Sequence, residues 1–337
     1  MTDDKTSDWE DRMDLVDQED DSEEPASEWK EQEPEDASDP VEPIAHDSRV
    51  IKGWKLFGAS RRGKSHAHVG TYREDAFSLA VKRRRRGPPW WALIVADGAG
   101  SCSLSRVGAN LAVRTVCESL LAAERAKTAW PDRLNVAVAA ALTALHEESD
   151  RRECDLKDLS CTLLALLYVF EKRGRGGIAC TFQAGDGLIA HVDDGGLMQI
   201  IGVQEYEAFA GATHFLNSDY VQETWDSRFK YLHCEKSPAG FLVMSDGVAD
   251  DLVPYETNGP IIVRELFDSR DAHDPGPALA DVLAYEKRGS FDDRTLICAL
   301  RSDTAFVEKE MGKPATEGES SHDGSQVDID APSEDDK

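Results

Sequence analysis

Carboxylates placed at the ends of apolar runs are the residues in this sequence best suited to chemistry. Asp97 ends Leu93-Ile-Val-Ala, Asp186 ends Phe182-Gln-Ala-Gly, and Asp246 ends Leu242-Val-Met-Ser, each followed by a glycine. Asp292-Asp293 leads into Arg294-Thr-Leu-Ile, and Glu74-Asp75 stands just before Ala76-Phe77. Hard divalent cations such as Mg²⁺ or Mn²⁺ take oxygen ligands in near-octahedral geometry and keep several waters. Strand ends suit them: the sheet fixes the acid while the loop leaves room for water. A glycine after the acid lets the backbone come close, and its carbonyl can serve as a ligand. Two such ions, about 3.5–4 Å apart, can hold a water, lower its pKa and stabilise an in-line displacement at phosphorus. A single Asp-Gly is an ordinary turn; the reading rests on five acidic points taken together and in order.

The elements that would position these acids follow from periodicity. Short apolar runs bounded by turn residues predict strands over 75–81, 90–95, 161–170, 178–184, 188–192, 197–201, 241–245 and 295–300. Helical spacing predicts helices over 105–125, 131–149, 259–268 and 276–287. Glycine-rich turns at 174–177, 185–187 and 193–196 are hairpin chemistry. Residues 203–236 are polar and irregular, long for a connection, and are expected to form a lid or substrate flap. Strands and helices come in blocks, so the class is α+β with antiparallel sheets.

Charge divides the chain. Of 337 residues carrying a formal net charge of −27, residues 1–47 hold 20 acids against 3 Lys/Arg and residues 303–337 hold 11 against 3. The stretch between them is nearly neutral. Residues 1–48 and 303–337 are therefore expected to be disordered acidic tails around a domain at 49–302, with Trp9 and Trp29 isolated in the first. Removing residues 1–47 is expected to leave basal activity unchanged or higher. Seven cysteines, an odd number with no C-x-x-C pair, fit a reducing cytoplasm. No apolar stretch suffices to span a bilayer, and no signal-peptide pattern is present, so no membrane association is expected. Lys82 and Arg83–Arg86 form a five-residue basic run where a hairpin should turn. Without a broad basic face it does not indicate nucleic-acid binding.

The order of motifs resembles a known family. Arg73-Glu-Asp-Ala76, Val95-Ala-Asp97-Gly98-Ala-Gly-Ser101, Ser160-Cys-Thr162, Gly185-Asp-Gly187, Ser245-Asp-Gly-Val248 and Asp292-Asp-Arg-Thr295 look like the metal-dependent type 2C protein phosphatases. Gly63, His66 and Gly70, with the Asp-Gly-Ala-Gly-Ser loop at 97–101, match the bacterial branch. The resemblance covers about residues 55–300 and implies a four-layer α-β-β-α sandwich of two antiparallel sheets flanked by helices. It implies hydrolysis of phosphoserine and phosphothreonine in proteins without a phosphoenzyme, using two Mg²⁺ or Mn²⁺ and a weaker third. On this likeness Asp97 bridges both ions, the Gly98 carbonyl and Glu74 hold one, and Asp246 and Asp292 hold the other. Asp75 orients water, and Asp186 joins Asp246 at the third site. Asp292 is preferred to Asp293 because the family's acid lies three residues before a Thr, here Thr295.

Two family positions differ here. The Arg that grips phosphate four residues before the Glu is replaced by Gly70, and the His after the Asp-Gly by Ala99. Arg73, Arg61, Arg62 or His66, or the metals themselves, are the expected phosphate ligands, and His66 or a metal-held water the expected general acid. The main expectation is a monomeric cytoplasmic phosphatase, with a Ser/Thr kinase as a partner. The alternative is an inactive adaptor that binds a phosphoprotein or kinase.

Overall fold

The computed structural model describes residues 29–83, 87–123, 128–171, 176–203 and 213–304. Strands β1 (Ile44–Ile51), β2 (Trp54–Arg61), β7 (Leu188–Val192), β8 (Met198–Ile200), β10 (Gly240–Met244) and β11 (Arg294–Arg301) make one sheet, in the order β1-β2-β11-β10-β7-β8. The other has the order β3-β4-β5-β6-β9, from β3 (Ala76–Lys82), β4 (Trp90–Ala96), β5 (Leu163–Phe170), β6 (Gly177–Ala184) and β9 (Phe229–Cys234). All neighbouring strands run antiparallel.

Helix α1 spans Lys64–Val69, α2 Ser105–Ala122, α3 Trp130–Arg152, α4 Asp219–Glu223, α5 Asp246–Ala249, α6 Tyr255–Asp271 and α7 Pro275–Val282. Three apolar clusters define the layers. Leu93, Tyr168, Phe241 and Ile297 fill the space between the sheets. Ala112, Val116, Val138 and Leu145 pack α2 and α3 onto Ile94, Ala165 and Phe182. Val263, Leu266 and Leu279 pack α6 and α7 onto Leu242, Leu296 and Cys298. This is the expected four-layer sandwich. It also explains why β4 and β5 are buried at every residue: covered on both faces, they read as continuous apolar runs rather than alternating ones.

Three expectations are corrected. The boundary set for the first tail at residue 48 falls inside β1, an edge strand whose run of His46-Asp-Ser-Arg49 hides its strand character. Residues 29–43, read as tail, also hold to the domain: Asp39 accepts both Nη atoms of Arg152 at 2.7 and 2.8 Å, and Asp36 accepts Arg106 at 2.7 Å. The irregular segment 203–236 contains α4 and β9, because Phe229 packs against Phe182 and pairing with β6 supplies the order its polar sequence conceals. Helix α6 starts at Tyr255 rather than 259 and includes Pro260. Residues 1–28 and 305–337, with Trp9, lie outside the described residues. So do Arg84–Arg86 of the basic run, 174–175 of one hairpin turn and 204–212 of the expected flap.

Candidate active site

Strand register brings the acids to one end of the sandwich. Ala76 pairs with Ala96, which sets Glu74-Asp75 beside Asp97. Met244 pairs with Leu188 on one side and Leu296 on the other, so Asp246 emerges between Asp186 and Asp292. Arg61 pairs with Arg294, which draws Gly63 and α1 up to Asp292-Asp293. The pairings of Met244 with Leu188 and Leu296 and of Arg61 with Arg294 join residues remote in sequence.

The loops are then fixed by hydrogen bonds. Asp97 N donates to Thr162 Oγ1 at 2.8 Å, and Thr162 N donates to Asp97 O at 2.7 Å. Gly98 bridges Cys161, and a Cβ on it would stand 2.9 Å from the Ser105 backbone, so only glycine fits. Ser245 Oγ donates to Asp75 Oδ2 at 2.8 Å, and Thr295 N donates to Ser245 Oγ at 3.1 Å. Asp186 accepts Thr213 Oγ1 at 2.6 Å.

Asp293 is the hub of the site. It is 2 % exposed. Its Oδ1 accepts Gly63 N at 2.6 Å and stands 2.9 Å from His66 Nδ1, while its Oδ2 accepts the amides of Glu74 at 2.5 Å and Asp75 at 3.2 Å. His66, Asp292 and Asp293 each offer an atom within 4.8 Å of the others. With both Asp293 oxygens taken by N–H groups, that trio is an ion pair beside Asp292 rather than a cation cage. In the sequence Asp293 stands only as a rival to Asp292 for the place three residues before Thr295. A second Asp just before a strand that must anchor two loops is the one signal that could have marked it.

Electrostatics show what the cluster lacks. Burial pushes Asp97 well above the usual carboxylate range, with the charges of Asp75, Asp246 and Asp292 adding to it. Burial, then Asp293, takes Asp75 to about 6, against the Ser245 hydroxyl that lowers it. Burial takes Glu74 to about 7 despite nearby His66, and burial with Asp186, Asp75 and Asp292 takes Asp246 to about 7. Asp292 opens to solvent, and partial desolvation leads its upward shift. Glu74 Oε2 and Asp75 Oδ1 are buried without a hydrogen-bond partner. Crowded, desolvated carboxylates with orphaned oxygens are the donor set a hard divalent cation completes, and the residues fit Mg²⁺ or Mn²⁺.

The three arginines named as phosphate ligands each donate to protein oxygens. Arg73, 4 % exposed, donates to the carbonyls of Glu42 and Asp75 and to Ser60 Oγ. Arg61 donates to Ala280 O at 3.2 Å, and Arg62 to Gln32 O and His66 O at 2.8 and 3.0 Å. His66 pairs directly with Asp293 at 2.9 Å. Burial alone would lower its pKa, but the Asp293 hydrogen bond and charge, with Glu74 and Asp292, carry it to about 9. Gly70, where the family's Arg would stand, has φ +72°, and a Cβ there would lie 3.3 Å from Glu33 O. Backbone sign and a neighbouring carbonyl both disfavour a side chain at that point.

Fold and site together define a four-layer antiparallel sandwich with a cluster of carboxylates at one end. A family model described as protein phosphatase 2C matches residues 62–284, and the chain belongs to that family. It is 28% identical over 171 residues to serine/threonine-protein phosphatase 3 of Escherichia coli (strain K12), covering 49% of this chain and 64% of that protein, just under two thirds of its length. A solved C. elegans sex determining protein matches at 13% identity over 75% of this chain and 66% of that one, with a TM-score of 0.51, a likeness of fold. A bacterial serine phosphatase structure matches at 14% identity over 75% of this chain and 99% of that one, with a TM-score of 0.49.

Proposed function

We propose that this protein is a metal-dependent phosphatase that removes phosphate from phosphoserine and phosphothreonine in proteins. The observation that carries this is the convergence of Glu74, Asp75, Asp97 and Asp246, their carboxyls raised and two of their oxygens orphaned. Asp97 would serve two ions, joined by Glu74 and the Gly98 carbonyl on one side and by Asp246 and Asp292 on the other. Asp186 with Asp246 would serve a weaker third. Bound there, the ions supply positive charge to the phosphoryl oxygens and acidify the attacking water.

The chain's own groups do the rest. Asp75, held by Ser245 Oγ, orients the nucleophilic water through its free oxygen. His66 keeps Nδ1 toward Asp293, which leaves Nε2 to hand a proton to the departing serine or threonine oxygen. Its positive charge also takes part of the role that the family's arginine plays elsewhere. We place the protein in the cytoplasm, acting as a monomer opposite a Ser/Thr kinase. Among the described residues no helix is long and apolar enough to cross a membrane. The enzyme reading is favoured over the adaptor by the raised carboxyls of Glu74, Asp75, Asp97 and Asp246.

Hydrolysis of a phosphopeptide and of p-nitrophenyl phosphate with and without Mn²⁺ tests this. Mn²⁺-dependent turnover of both is expected; a folded protein that turns over neither would overturn the enzyme reading. Calorimetric titration should count at least two Mn²⁺ and one fewer in Asp246→Asn.

A further inference from the structure

Helix α1 carries His66 yet buries none of its residues. At six residues it is far too short to be stable by itself, so its position depends on what touches it. From the site side come the Asp293 bonds to Gly63 N and His66 Nδ1, and the Ser65 N and Oγ bonds to Phe291 O at 2.9 and 2.7 Å. From the outer side comes the segment that the sequence reading assigned to a tail.

Trp29 packs on Phe291 with ring centroids 4.6 Å apart, and edge-on against His68 at 5.2 Å. Lys30 N donates to His68 Nδ1 at 3.2 Å, Gln32 N to Ala67 O at 2.8 Å, and the Gln32 side-chain Nε2 to His68 O. Arg62 Nη2 clamps Gln32 O and His66 O together. Farther along, Tyr72 Oη donates to Asp36 O at 2.7 Å, and Asp36 and Asp39 hold Arg106 and Arg152. Trp29 therefore bridges the two walls of the site: α1 with His66, and Phe291, the residue before Asp292. Trp29 itself is 41% exposed and belongs to none of the three apolar clusters, so its contacts serve those walls rather than the core.

We propose that Trp29 and Gln32 are positioning residues of this phosphatase: the Trp29–Asp39 strap fixes α1 against the Phe291-Asp292 loop and so holds His66 and Asp292 in mutual register. The proposal rests on the phosphatase reading for its catalytic meaning. It also reverses the expectation that residues 1–47 can be removed without loss.

The test uses the full chain with Trp29→Ala, Trp29→Phe and Gln32→Ala. In Trp29→Ala the global melting temperature should stay near that of the parent, while amide exchange quickens in residues 64–69 and 290–293. Affinity for Mn²⁺ alone should weaken by about tenfold, the scale seen when the support of a metal ligand is removed. Turnover of p-nitrophenyl phosphate should fall in kcat by a similar factor, with a smaller change in KM. Trp29→Phe should recover much of the loss, and Gln32→Ala should show a milder form. Unchanged exchange in both segments overturns the proposal, as does faster exchange with unaltered Mn²⁺ affinity. If the parent turns over no substrate, the phosphatase reading fails, and the exchange and Mn²⁺ measurements still decide the strap.

Discussion

His66 Nδ1 stands 2.9 Å from Asp293 Oδ1, and the other oxygen of the same carboxylate accepts the Glu74 amide at 2.5 Å. One acid thus ties the general-acid candidate to the backbone of a metal-ligand candidate. Its neighbour Asp292 turns outward, which gives two adjacent, chemically identical residues separate duties.

Those duties can be told apart. Asp293→Asn places an amide where only acceptors fit and breaks a buried network, which should cost about 2–4 kcal/mol. Urea unfolding should show this without added metal. Asp292→Asn should leave stability within about 0.5 kcal/mol, as expected at an open position, and weaken Mn²⁺ binding instead. Equal effects in both assays would contradict the division.

Asp97→Asn should abolish Mn²⁺-dependent turnover while preserving the circular dichroism spectrum. Because Asp97 is raised by burial and by Asp75, Asp246 and Asp292, removing its charge should also stabilise the metal-free protein at pH 8. A less stable metal-free variant would show that the acids do not repel as described.

The stability of the metal-free protein should fall as pH rises. Asp75 at about 6 and Glu74 and Asp246 at about 7 bind protons more tightly folded than unfolded. Their contribution is complete below about pH 4 and is lost as pH rises through 6 and 7. His66, raised to about 9, acts in the same direction over a higher window. Thermal melts in EDTA should therefore be lower at pH 8 than at pH 5.5. Millimolar Mn²⁺, which binds the folded form, should reduce or reverse the trend. A rise between those pH values in EDTA would sink the argument.

Gly70→Arg should not restore the family's phosphate grip. At φ +72° a side chain costs roughly 1–2 kcal/mol, and its Cβ would press on Glu33 O. The variant should melt lower with no gain in kcat/KM toward a phosphopeptide. A gain would mean that the strap yields and the lost arginine can simply be returned.

Legibility in the sequence followed burial. β4 and β5, buried on both faces, read as long apolar runs, and α2 and α3 kept helical spacing because one stripe of each meets the sheet. β1 did not, since an edge strand can carry His46-Asp-Ser-Arg49 without cost to a core. β9 was hidden for a similar reason, with only its first and last residues buried.

What the sequence determined by itself was the set and order of acids, because each Asp-Gly pair is local chemistry at a strand end. It also determined an α+β class with antiparallel sheets, through the two kinds of apolar run, while the four-layer sandwich was implied only by the motif resemblance. The tertiary structure alone decided the partners. Asp293 became the hub because register brought Gly63, His66 and Glu74 to it across more than two hundred residues. Arg73, Arg61 and Arg62 turned to carbonyls that no spacing rule could reveal. Trp29, isolated in an acidic stretch, gained a place only when Phe291 and His68 stood together to receive it. Local propensity acts within a few residues, whereas these contacts are set by how two sheets and their loops meet.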